Sequence, residues 1–170
     1  DMYMMAGSEL VMTQTTNSIF NASLWDLVAP QSLLAWQRVR AANQLASSGP
    51  EWYSLVGQHN SGTYNNQYMV LDTKLFVPGN AMPPNTLFVV EQIPGLVVGS
   101  DVTNQLEQGF WPSYNVPYHK DIYVQSGEYF RIYYSIIAVE TCARCAATYV
   151  IAYPFSSSRC YLYFLQATTL

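Results

Sequence analysis

Charge is scarce in this chain. Asp, Glu, Lys and Arg make up 11% of it, against about 25% in soluble domains at large. The seven basic residues are scattered along the sequence and the net charge is −4. Binding a phosphate backbone takes clustered Lys and Arg, so no nucleic-acid partner is expected. Histidine is limited to His59 and His119. A catalytic triad is therefore hard to assemble, and neither a G-x-S-x-G elbow nor a P-loop occurs. Cysteine is confined to Cys142, Cys145 and Cys160. The odd count leaves at least one thiol unpaired. Cys142-Ala-Arg-Cys145 has C-x-x-C spacing, but no second pair and no nearby His completes a zinc site. A local disulfide and free thiols both remain open, and no metal or cofactor is expected. Long apolar runs are missing too. The most apolar window, Tyr133 to Tyr153, is broken by Glu140 and Arg144, whereas a membrane span needs about 20 apolar residues. No transmembrane segment is expected.

What is present fits one domain or a piece of a larger one. Half the residues are hydrophobic and 14 are Tyr, enough for a core. Low charge with many Tyr, Asn, Gln, Ser and Thr points to a β-rich protein of a secreted or lumenal compartment. The sequon Asn21-Ala22-Ser23 makes Asn21 a candidate glycosylation site in that setting. The opening residues carry no basic leader, so an excerpt of a longer product is expected.

Strand formers around Tyr3–Met5 and Leu10–Thr15, parted by a Gly7-Ser8 bend, predict two short strands. Asn21 to Trp25 is expected to turn. Pro30 is expected to open the clearest helix, which Gly49-Pro50 ends. Pro50 to Gln58 predicts a second, short helix with Trp52, Leu55 and Val56 on one face. Gln67–Phe76, Thr86–Gln92 and Leu96–Ser100 predict a three-strand antiparallel meander. Thr103–Gly109 is expected to hold a helical turn, Trp111–Tyr118 an irregular aromatic loop, and Lys120–Tyr134 a further strand pair. Composition then shifts. Residues 1–135 are expected to form one partial domain, and 136–170 a divergent tail that carries every cysteine.

Residues that could carry chemistry are few. His59 sits at a predicted helix end, where a capping or surface role outranks that of a base. His119 lies in a Pro-flanked loop and ranks lower still. Glu91 interrupts an apolar strand, and a buried, hydrogen-bonded structural role is expected for it. Asn115 in Ser113-Tyr114-Asn115-Val116-Pro117 could aim a side-chain N–H at developing negative charge. Spacing alone favours a simple turn residue there.

Several strings together resemble the phospholipase B-like proteins. They are Asn60-Ser-Gly-Thr-Tyr-Asn-Asn-Gln67, Glu91-Gln92-Ile93-Pro94-Gly95, Ser113-Tyr-Asn-Val-Pro117 and Thr13-Gln-Thr-Thr16. The resemblance runs from residue 1 to about residue 128. It implies an α+β fold, part of a four-layer αββα N-terminal-nucleophile hydrolase sandwich with antiparallel sheets. The implied activity is hydrolysis of an acyl ester or amide bond in a lipid-like or small amide substrate. The implied location is lysosomal or secreted. In such enzymes a cysteine freed at a new N-terminus attacks, and its own α-amino group can serve as base. Carried over, Asn115 becomes the oxyanion-type donor and Thr16 a pocket residue. The nucleophile has no match here and is expected on an upstream segment of the same precursor, leaving this fragment inactive. Cys142, Cys145 and Cys160 are not promoted to that role. Arg131, Arg144 and Arg159 do not match the family's pocket arginine. The Asn60–Gln67 block is expected to be scaffold at a helix-to-strand junction. The alternative is a non-catalytic secreted module that binds lipid or glycan through exposed aromatics such as Trp111 and Tyr114.

Overall fold

The computed structural model describes residues 1–133. It is an α+β structure built on a five-stranded antiparallel sheet. The strands are β1 (Met2–Met5), β2 (Leu10–Thr16), β3 (Asn66–Asp72), β4 (Leu87–Ile93) and β5 (Leu96–Asp101). Their spatial order is their sequence order. Between β2 and β3 the chain inserts a 3-10 helix (Ala22–Leu27), α1 (Ala35–Leu45) and α2 (Gly49–Val56). Short 3-10 turns follow at Thr73–Leu75 and Thr103–Gln108, then α3 (Lys120–Gln125). The chain divides into two compact units, Asp1–Glu128 and a second beginning at Tyr129, of which 129–133 are helical. The expected boundary at 135/136 and the tail 136–170 with its cysteines lie outside the described residues.

Alternation along the strands divides the core. Leu10, Met12, Tyr68, Val70, Phe88 and Val90 turn to one face and pack against Val39, Ala42, Trp52 and Val56 of α1 and α2. Leu87 and Val89 turn to the other face, under Val102 and Trp111. Further along β4, Ile93 meets Leu24 and Ile122. Glu91 stands between Val89 and Ile93 on that second face, so the sheet carries a carboxylate between two apolar clusters.

Glycine lets α2 press close to the sheet. A Cβ built on Gly49 would stand 2.5 Å from Phe88 Cβ, a contact that no side-chain rotation relieves. Gly49→Ala is therefore expected to cost about 1–3 kcal/mol through overpacking, read as a lower urea midpoint. An unchanged midpoint would show that the helix can simply back away.

The predicted meander is present, with small shifts of boundary. β3 ends at Asp72 because that side chain turns back to accept from Lys74 N at 3.1 Å and caps the 3-10 turn. The first helix starts at Ala35 rather than near Pro30. Upstream, Leu33 instead bridges to Asn60, its N–H donating to His59 O at 3.0 Å. Asn21–Trp25 is not a plain turn: Asn21 caps the 3-10 helix by accepting from Ser23 N. The strand pair expected at Lys120–Tyr134 is absent among the described residues. Ile122, Tyr123 and Val124 favour strand locally, but a helical turn buries Ile122 completely against Ile93 and Leu24. Tertiary burial overrides the local preference.

Candidate active site

The buried end of the sheet is organised by Glu91. It is fully buried and accepts hydrogen bonds from five donors. Oε1 takes Gln67 Nε2 at 2.7 Å, Tyr118 N at 2.8 Å and Asn17 Nδ2 at 3.4 Å. Oε2 takes His119 N at 2.7 Å and lies 2.9 Å from His119 Nδ1. Burial alone would raise the affinity of this carboxylate for a proton. The bonds from the His119 ring, Gln67 and the His119 and Tyr118 backbone outweigh it and hold Glu91 below the usual carboxylate range. The structural role expected for Glu91 is what the geometry shows.

The sign of the pH effect follows from that depressed value. As pH falls the unfolded chain takes up the Glu91 proton first. The stabilisation is thus complete above the ordinary glutamate value of about 4.3 and is lost as pH falls through the folded-state value. Urea midpoints should drop from about pH 5 to about pH 3, more steeply in wild type than in Glu91→Gln, which has nothing to titrate. Parallel slopes would place the acid sensitivity elsewhere, for instance at Asp101.

Around this centre the aromatic loop folds down. Trp111 Nε1 donates to Gln67 Oε1 at 3.2 Å, and its ring meets Tyr118 edge-on at 4.8 Å. Trp111 is accordingly half-buried and tied in, not the free surface aromatic expected of a binding module. Tyr114 and Phe110 are exposed. Ser113 Oγ lies 2.5 Å from Thr15 Oγ1. These bonds hold the loop against the end of β2 and bring together two residues 99 apart in sequence: Asn115 Nδ2 donates to Thr16 O at 2.9 Å. Both are exposed. Asn115 adopts φ 59°, a left-handed conformation that Asn tolerates better than most residues. Only one of its two amide hydrogens is used by that bond.

The Asn60–Gln67 block behaves as scaffold. Asn60 Nδ2 donates to Ile93 O at 2.9 Å and its Oδ1 accepts from Gly62 N. Asn65 bonds Gly62 O and accepts from Gln92 Nε2 at 3.0 Å. Gln92 Oε1 in turn accepts from the buried Arg38 at 2.7 Å. His59 takes φ 52° in the turn that follows α2 and carries the backbone bond to Leu33.

Sequence reasoning missed the partners of His119. Its Nε2 lies 2.9 Å from Ser100 Oγ, so a hydroxyl, an imidazole and a carboxylate stand in line. The available signal was a lone acid in an apolar strand, which requires a donor from elsewhere. Among the described residues no cluster of His, Cys, Asp and Glu is arranged to hold a metal ion. No described helix is long and apolar enough to cross a membrane.

The profile of the Phospholipase B family matches residues 1–145. Over 127 residues, or 75% of this chain, the sequence is 53% identical to Phospholipase-B 81 of Drysdalia coronoides. It is 54% and 51% identical over the same length to Phospholipase B-like 1 of Rattus norvegicus and of Homo sapiens. The chain spans 23% of the length of each of these relatives. With the family profile spanning residues 1–145, which hold the sheet, Glu91 and the Thr16–Asn115 contact, and half the residues identical over 75% of the chain, the chain belongs to the phospholipase B family.

Proposed function

We propose that this chain forms one wall of the active site of a phospholipase B-like hydrolase that cleaves acyl ester or amide bonds in a lipid-like substrate. The supporting observation is the Thr16–Asn115 contact at the exposed rim of the sheet, which leaves an amide N–H available to a substrate oxygen. In this reading the five-stranded sheet is half of a four-layer αββα N-terminal-nucleophile sandwich. The attacking cysteine comes from a segment upstream of the residues matched here. Asn115 stabilises the tetrahedral oxyanion and Thr16 lines the pocket. Location in a lysosomal or secreted compartment, with a glycan on Asn21, belongs to the same reading.

The test uses the full-length protein containing this chain, assayed on a phospholipid acyl ester. Asn115→Ala should lower kcat by about 10²–10³-fold, the loss typical of one oxyanion donor, with a much smaller change in KM. An unchanged kcat would remove Asn115 from the chemistry. The 170-residue chain alone should show no thiol-dependent turnover. Exposed Phe110 and Tyr114 beside the contact favour a second reading, a non-catalytic lipid- or glycan-binding surface. Binding of vesicles by full-length protein that is inert to every ester and amide offered would favour it.

A further inference from the structure

We propose that Ser100 is a second, thiol-independent nucleophile of this chain, activated by His119 and Glu91 toward carboxylic esters. The sheet register sets up the arrangement. Val89 pairs with Ser100 and Glu91 with Val98, so Ser100 and Glu91 share one face a single diagonal step apart. His119, at the N-cap of α3, bridges them. An ionised carboxylate only accepts hydrogen bonds. The proton between Glu91 Oε2 and the imidazole therefore resides on Nδ1, and the Nε2 lone pair faces the Ser100 hydroxyl at 2.9 Å. A nucleophile beside a base, with that base oriented by a third group, is the recognisable signature of an activated serine. The base is held rigidly: the His119 backbone N also binds Glu91, and its ring meets Tyr118 edge-on at 5.2 Å.

Ser100 is half-buried on β5, the last strand in the sheet order. Val102 N bonds across to Leu87 O. By alternation, the N–H of Asp101 turns the other way, off the side of β5 that carries no strand among the described residues. Tyr53 OH reaching Val97 O at 3.4 Å agrees with that phase. The N–H following the nucleophile is thus placed to receive an oxyanion, as in other serine hydrolases.

In the reaction, Ser100 Oγ bonds to the ester carbonyl carbon as its proton passes to His119 Nε2. The tetrahedral oxyanion collapses, the C–O bond to the alcohol breaks, and Nε2 returns the proton to the departing oxygen. Water then attacks the acyl-serine by the same proton route and releases the acid.

The experiment treats the full-length protein containing this chain with iodoacetamide, then with an alkyl fluorophosphonate, and maps adducts by mass spectrometry. Labelling forms the Oγ–P bond, breaks P–F and sends the proton to Nε2. The expected result is an adduct on Ser100 that disappears in concentrated guanidinium. Its rate should fall at least about 100-fold in His119→Gln, the low end of general-base effects. His119→Gln also disturbs the Glu91 cluster, so Ser100→Cys gives a second measure. Without prior alkylation, its new thiol should react about tenfold faster than a free thiol, because a neighbouring imidazole promotes the thiolate. An unlabelled Ser100, or a thiol there of ordinary reactivity, overturns the proposal. Neither outcome bears on the cysteine-dependent reading, which rests on Asn115.

Discussion

Glu91→Leu should lose about 5 kcal/mol or more, enough to unfold a domain of ordinary stability. Leucine fits the apolar neighbourhood of Val89 and Ile93, so the loss does not come from volume. It comes from five donors left facing an alkyl group: Asn17 Nδ2, Gln67 Nε2, Tyr118 N, His119 N and His119 Nδ1. Each buried donor without a partner costs about 1–3 kcal/mol. Partial rescue by water is limited, because the site lies between two packed clusters. Glu91→Gln should fall between wild type and Glu91→Leu, since its amide oxygen still accepts while its NH₂ opposes a donor. Urea denaturation followed by circular dichroism measures both. A Glu91→Leu midpoint within the range of ordinary surface substitutions would mean that the aromatic loop docks without the carboxylate.

Arg38→Met is expected to cost about 3–5 kcal/mol by leaving several buried acceptors unpaired. Arg38 is 2% exposed and has no carboxylate partner among the described residues. Its guanidinium instead donates to Leu33 O at 2.9 Å, Val56 O at 2.5 Å and Gln92 Oε1 at 2.7 Å. Burial pulls its pKa down, partly offset by Tyr68. Methionine replaces the stem out to about the Nε position and removes that desolvation cost, yet satisfies none of the oxygens. One of them, Val56 O, belongs to the last turn of α2, where helical donors run out. Arg38→Lys should be nearly as damaging, because a single ammonium cannot span the fork. Equilibrium unfolding of the two variants decides the point: full stability in Arg38→Met would show that the charge is tolerated, not required.

The sheet was legible because β3 and β4 are apolar enough to stand out and Pro94-Gly95 marks the turn into β5, although the strand expected through Phe76 stops at Asp72. The Asn60–Gln67 block was legible as scaffold because its uncharged amides had to find partners: Asn60, Asn65 and Asn66 each find one within three residues, while Gln67 reaches across to Glu91 and Trp111. Lys120–Gln125 was misread because six residues rich in β-branched and aromatic types carry no helical period. The partner that decides them, Ile93, lies far upstream. The pairing of Thr16 with Asn115 came only through family resemblance, since no local rule links residues 99 apart. The Ser100–His119–Glu91 line was invisible for the same reason. It depends on a diagonal across β4 and β5 and on a loop that folds back over the sheet.

Strand order that follows chain order bears on how the molecule is made. β3, β4 and β5 occupy a continuous stretch from Asn66 to Asp101, and each needs only its immediate neighbour. Their pairings are short-range in sequence, the kind that form early. Joining β2 to β3 must instead close a loop from Thr16 to Asn66. Closure entropy grows only as about (3/2)RT ln n, so a three-strand ribbon can wait while α1 and α2 assemble between it and the N-terminal hairpin. During synthesis the ribbon would emerge after the N-terminal hairpin yet be the first to knit, with that hairpin recruited onto a template already in place.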